Sequence, residues 1–222
     1  MKRPAKKRRH RSGGPRALKR RRKNTRPRRA PRRASPRPEV PAILAAAERE
    51  ISKRGYRRAS FRGISKALGC QIHAIEERYP TKEALGLAVF EWRTTQSLKA
   101  LPESAQLPGA NERLGEALLQ MIRFYLNDRG LVARLVPELW RATVNDSEAR
   151  LRLSWSHAQW QTLLQEILEA GIERGEIRAS LAPETTAASL AAACEGMTLR
   201  YSMMGGATSP EGIRDSLLSL LG

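Results

Sequence analysis

The residues with the most pointed chemistry lie in one stretch, Gln71-Ile-His-Ala-Ile-Glu-Glu-Arg-Tyr-Pro-Thr-Lys82. A Gln amide can bond adenine in bidentate fashion, a His ring can donate to guanine, and a Glu carboxylate can accept from cytosine N4. Gln71, His73 and Glu76 carry those three groups within six residues, so the stretch could read base edges. The objection is electrostatic. Glu76 and Glu77 are adjacent carboxylates, and phosphates repel carboxylates. Other chemistries find little support. There is no Gly-rich phosphate loop, no His-Glu-x-x-His, no Cys-x-x-Cys and no nucleophile elbow. The three histidines, His10, His73 and His157, are scattered along the chain. Cys70 and Cys194 have no metal-ligand spacing and read as buried thiols outside any disulfide framework. No enzyme, cofactor or metal is expected.

The elements around that stretch are helical. Ile43, Leu44, Ala47 and Ile51 form one stripe of a first helix, which Pro41 can open and Gly55 can close. Ser60 is a natural N-cap for a short second helix carrying Phe61, Ile64, Ala67 and Leu68, and Gly69 forces a turn. A third short helix is predicted over about 71–78, and Pro80 stops it. Thr81 caps a fourth through Trp92. Three short helices with a tight Gly turn outline a helix-turn-helix unit.

Beyond a connection after residue 101, helices are predicted over about 110–128, ended by Gly130, then 131–144 and 147–174, followed by one opened by Pro183 and one over about 209–221. The expected fold is all-α, an N-terminal three-helix DNA-binding domain followed by a helical bundle. Its boundaries are a disordered basic arm over 1–39, the helix-turn-helix over 40–86, and the bundle over 87–222.

The net charge of +19 is concentrated in the arm. Residues 1–39 hold 19 Lys and Arg against the single acid Glu39, whereas the rest of the chain is near neutral at +1. The arm is Pro-rich and almost free of large apolar residues, so it cannot bury enough surface to offset ordering entropy. No segment offers 18 uninterrupted apolar residues, and a cytoplasmic, nucleoid-associated protein with no membrane partner is expected. Outside the arm, residues 41–90 are net +4 and residues 91–222 net −3, which marks the N-terminal helices as the nucleic-acid face.

These residues resemble the TetR family of bacterial one-component regulators. The match runs from Ile43-Leu44-Ala45-Ala46-Ala47 through Gly55-Tyr56, Ser60, Ile64, Ala67, Gly69, Ile75 and Tyr79 to Lys82-Glu83-Ala84-Leu85. The resemblance implies a homodimer on double-stranded DNA, with Gln71, Ile72, His73 and Glu76 facing the major groove and Ser60 and Lys82 touching phosphates. Arg57, Arg58 and Arg62 add basic contacts beside them. The family usually has Ser or Thr at 71, a small residue at 73 and a phosphate-bonding Tyr at 76, so this chain departs at each. Losing the Tyr hydroxyl removes about 1 kcal/mol per half-site, and a carboxylate adds repulsion in its place.

The resemblance also implies a small-molecule effector held in the bundle. Trp92, Met121, Phe124, Tyr125, Trp140, Trp160 and Met197 are the pocket candidates, though core packing explains residues of these types equally well. Leu164, Leu168, Ala188, Ala192 and Gly196 are candidates for the dimer seam, the last three as a stripe small enough for close backbone approach. The function so implied is a transcriptional repressor released from DNA by its effector. The alternative is a nucleoid-type protein that binds nucleic acid without sequence preference through its arm.

Overall fold

The computed structural model describes residues 37–101, 107–204 and 209–221, apart from the side chain of Asp128. The arm expected over 1–39 therefore lies outside the described residues except for its last three positions. Among the described residues all regular structure is helical.

Helix α1 (Val40–Arg54) buries Ile43, Leu44, Ala46, Ala47 and Ile51. Pro41 sits in its first turn, where a missing N–H costs nothing, and Gly55 ends it in a left-handed backbone (φ 78°) that a side chain would resist. A 3₁₀ turn, Tyr56–Arg58, leads to α2 (Phe61–Leu68), whose N-cap Ser60 accepts a hydrogen bond from the Gly63 amide at 3.2 Å. Gly69, left-handed at φ 63°, turns the chain into α3 (His73–Glu76). The regular part of α3 is shorter than the expected 71–78, but hydrogen bonds from Ala74 N to Gln71 O and from Tyr79 N to Ile75 O continue the coil on both sides. Thr81 caps α4 (Lys82–Lys99) by accepting from Ala84 N at 3.0 Å.

The largest departure from expectation follows. Two helices, 110–128 and 131–144, are predicted; one helix, α5 (Ala110–Thr143), spans both. Gly130 does adopt the left-handed conformation of a helix stop (φ 68°), and so does Arg129 (φ 63°). The coil nevertheless resumes at once, because Leu131, Val132, Leu135, Val136 and Leu139 carry the apolar stripe on into the same core. Helix α6 (Ser147–Glu173) is capped by Asp146 and α8 (Pro210–Leu218) by Ser209, with α7 (Pro183–Met204) between them. The long α5 packs against α4, α6, α7 and α8, while α1 packs on α2 and α4 and touches α5. One apolar core runs from Ile43 to Leu217.

Candidate nucleic-acid interface and ligand chamber

Helix α3 is held by one apolar residue. Ile75 is fully buried, while Gln71, His73 and Glu76 on the same short coil are exposed and Ile72 is half-buried. Arg57, Arg58, Ser60 and Arg62 are exposed on the preceding turn and α2. The two adjacent carboxylates have different surroundings. Glu77 accepts from Arg37 at 2.7 Å and lies 2.9 Å from His73 Nε2 one turn earlier, so its charge is matched within the fold. Glu76 is exposed. Ser60 spends its hydroxyl oxygen on the N-cap, and Lys82 directs its ammonium to Arg57 O at 3.0 Å, over the Tyr56 ring (4.8 Å to its centroid).

Arg57 reaches the opposite way, onto the bundle. Its Nε donates to Glu138 Oε1 of α5 at 2.7 Å, and Arg141 lies 3.5 Å from the other carboxylate oxygen. The hydrogen bond from Arg57 holds the Glu138 carboxyl below the usual carboxylate range. Beneath this pair the Tyr56 ring is buried against Gly86 of α4. A methyl on Gly86 would stand 2.9 Å from Tyr56 Cε2 and 3.3 Å from Leu139 Cδ2. Ala is the better helix former by about 1 kcal/mol, but overpacking costs about 1–3 kcal/mol, so the second effect wins. Gly86→Ala is therefore expected to lower the thermal midpoint; an unchanged or raised Tm would mean that Tyr56 can shift freely.

In the bundle, Met121, Phe124, Tyr125 and Trp160 are buried, whereas Trp92 and Met197 are half-buried. Trp140 departs from the expected pocket: it is 44 % exposed, on the outer side of the turn whose inner side carries Leu139. The rings form a connected cluster, with Phe124 at 5.1 Å from Tyr125, 5.7 Å from Trp160 and 5.7 Å from Phe90, and Phe90 at 5.4 Å from His157. Polar atoms are embedded in it. Tyr125 Oη, His157 Nε2, Trp160 Nε1 and Glu195 Oε1 are all buried without a hydrogen-bond partner, and His157 Nδ1 lies 3.6 Å from Glu195 Oε2. Burial pushes the Glu195 carboxyl up to about 7, with the nearby Tyr125 hydroxyl opposing. Burial also lowers His157 and raises the Cys194 thiol to about 12, the latter helped by Glu195. Phe90 and Glu195 are absent from the sequence-based pocket. One signal marks Glu195, which is the only acid between Glu184 and Glu211 in an otherwise apolar and small-residue helix.

The seam candidates divide. Leu164 and Leu168 are fully buried within the chain's own core, which corrects their expected place, because the stripe they share with Trp160 turns toward α5 and α7. Ala192 and Gly196 are exposed and Ala188 half-buried, and a methyl on Gly196 would meet nothing within 4 Å. The face of α6 that remains outward carries Leu151 and Trp155, 71 % and 60 % exposed.

Residues 43–89, which hold the reading helix and its supports, match the family described as bacterial regulatory proteins, tetR family. Residues 110–221, half of the chain, match the C-terminal domain of BetI-type transcriptional repressors. The chain belongs to the TetR family. It is accordingly a ligand-responsive, DNA-binding transcriptional regulator. No curated protein matches it in sequence. Among solved structures it is similar to the transcriptional regulator FadR from Bacillus subtilis, determined with stearoyl-CoA (TM-score 0.69, 20 % identity, 82 % of this chain and 97 % of that one). It is also similar to a transcriptional regulator from Saccharomonospora viridis determined with choline (TM-score 0.66, 19 % identity, 81 % and 93 %). A third, described as the molecular basis for control of antibiotic production by bacterial hormones, is 27 % identical over 82 % of this chain and 94 % of its own (TM-score 0.64). No helix among the described residues is long and apolar enough to cross a membrane.

Proposed function

We propose that this TetR-family regulator is a homodimeric repressor whose helix α3 reads the major groove in each half-site and whose DNA affinity falls when a small molecule occupies the bundle. The observation that carries the reading is the mounting of α3, with Ile75 buried beneath it and Gln71, His73 and Glu76 turned outward beside a basic turn and α2. Of these, Gln71 and His73 specify bases, Arg58 and Arg62 contact phosphates, and Arg57 and Lys82 bind the reading unit to itself and to α5. A dimer presents two such helices about 34–36 Å apart, and an effector that favours another spacing releases the DNA by population shift. The exposed apolar faces of α6 (Leu151, Trp155) and α7 (Ala192, Gly196, Met203) supply the seam. Stearoyl-CoA and choline, held by two proteins of the same fold, are so unlike that the fold alone does not name the effector.

Selection of fragmented genomic DNA on the dimer, followed by sequencing, tests this. A recurrent inverted-repeat site is expected, and dimeric protein that enriches no sequence would overturn the reading. At the reading helix, Glu76→Tyr removes a carboxylate and restores a phosphate-bonding hydroxyl, so affinity for the selected site should rise by roughly 1 kcal/mol or more per half-site, about fivefold. A weaker complex in a binding titration would assign Glu76 to a base instead.

A further inference from the structure

We infer that the cleft between α1 and the two left-handed residues of α5 is a binding site for a small phosphate-bearing anion, held by Arg49, Lys53 and Arg129. The site lies apart from the ring cluster of the bundle, and its occupancy does not depend on the operator reading above.

Helical spacing builds one wall. On α1, Glu48 and Ser52 are one turn apart, as are Arg49 and Lys53 beside them, so the four side chains share a face. Arg129 of α5 lines the same cleft, whose volume of about 300 Å³ is at the lower end for small-molecule sites and suits a compact ion.

Charge selects the class. Three of the five lining side chains are cationic, and Arg49, Lys53 and Arg129 have no acidic partner among the described residues. Glu48 is the single acid of the cleft, and Arg93 donates to it at 2.6 Å, with both side chains largely buried. The next cation along α1 is matched, since Arg54 lies 3.1 Å from Glu50. Like charges one turn apart repel, and Arg129 adds a third to Arg49 and Lys53. A monocarboxylate would leave two of the three charges unmatched, whereas phosphate or pyrophosphate can meet all of them. Each guanidinium offers a fork for two phosphate oxygens, and Lys53 adds a point charge.

The backbone gives a separate sign. Arg129 is the one non-glycine residue with a left-handed backbone (φ 63°) among the described residues. A β-carbon resists that conformation, which Gly130 beside it adopts freely. Glycine would make the same bend more cheaply, and strain of this kind concentrates at ligand clamps. All three cations are exposed, so water and salt weaken each contact and set an affinity on the order of 1 mM. A bound anion ties α1 to α5. Because α1 packs on α2, and α2 on α3, the anion bears on the reading unit from outside the bundle.

The test is thermal unfolding of the full-length protein in about 10 mM pyrophosphate against sodium chloride of equal ionic strength. The 18 Lys and Arg of residues 1–34 also attract pyrophosphate, but a segment that does so whether or not the compact unit is folded leaves the midpoint unchanged. For a Kd of about 1 mM, the wild-type Tm should rise by roughly 3–6 °C. The rise should be smaller in Arg129→Gly and in Lys53→Gln, absent in the double variant, and retained in Arg62→Gln, outside the cleft. Arg129→Gly suits the left-handed backbone and Lys53→Gln changes an exposed position, so both variants should fold in chloride. Equal midpoints in the two salts, or a rise that survives in the double variant, overturns the inference. Anisotropy with duplex DNA in chloride tests the other source of phosphate. Affinities of wild type and double variant within about threefold are expected, and a larger loss would give these cations to the DNA backbone and overturn the free-anion site.

Discussion

Raising salt from about 50 to 200 mM should weaken DNA binding by the full-length chain about 10³- to 10⁵-fold, if roughly 6–10 of its cations engage phosphates. The reason is local density of charge. Residues 1–34 contain 18 Lys and Arg and no acid, and each phosphate they neutralise releases a condensed counterion whose entropy gain shrinks as salt rises. The compact unit that begins at Ser35 offers far less. Arg57 is already paired with Glu138, and Lys82 with a backbone carbonyl, which leaves Arg58, Arg62, Lys66 and Arg78 among its exposed basic groups on and beside the reading unit. Removal of residues 1–34 keeps the Arg37 contact to Glu77 and should flatten the plot of log affinity against log salt while preserving the preferred sequence. Fluorescence anisotropy at four salt concentrations measures this. Equal slopes for the two proteins would show that the arm does not meet DNA, and loss of all binding with the arm would favour a sequence-independent binder.

Trp160→Ala is expected to cost about 3–5 kcal/mol, which for a chain of this size lowers Tm by roughly 6–20 °C. Trp160 is 1 % exposed and centres the aromatic cluster through Phe124, so truncation opens a cavity where α4, α5 and α6 meet. Trp160→Phe separates packing from polarity. Its indole N–H has no partner, so removing that group forfeits no hydrogen bond and the smaller ring retains most of the contact. Thermal unfolding of both variants decides the point. A loss under about 1 kcal/mol for Trp160→Ala would place the side chain outside the core.

The N-terminal helices were legible because their stops and starts are chemical. Pro41, Gly55, Ser60, Gly69 and Thr81 act through backbone rules that hold whatever packs nearby, and each sits at the boundary it implies. The same rules misjudged Gly130. It takes the conformation of a stop, but tertiary burial of Leu131–Leu139 carries the helix past it, and burial is not a local signal. The bundle shows a similar division. Phe124, Tyr125 and Trp160 were readable as interior by type, but which residues share a cluster depends on the rotation of α6 and α7 about their axes. That phase put Leu164 and Leu168 inside the chain and Leu151 and Trp155 outside. Glu195 was the costliest omission, since a charged residue in an apolar helix is read as a surface group until its neighbours are known.

An unbroken α-helix of 34 residues is a rod of about 51 Å that moves as one piece, so any twist at one end appears at the other. The left-handed pair Arg129 and Gly130 makes α5 a jointed shaft instead. Its first section carries Tyr125 and the ring cluster, and its second carries Leu139 and Glu138 against Tyr56 and Arg57. The joint lies against Ser202 of α7, 3.6 Å from where a Gly130 methyl would stand, so the helix that bears Glu195 also bears on the bearing. The ring cluster and the Glu138–Arg57 contact thus share one helix and lie on opposite sides of the two residues whose φ leaves the helical range.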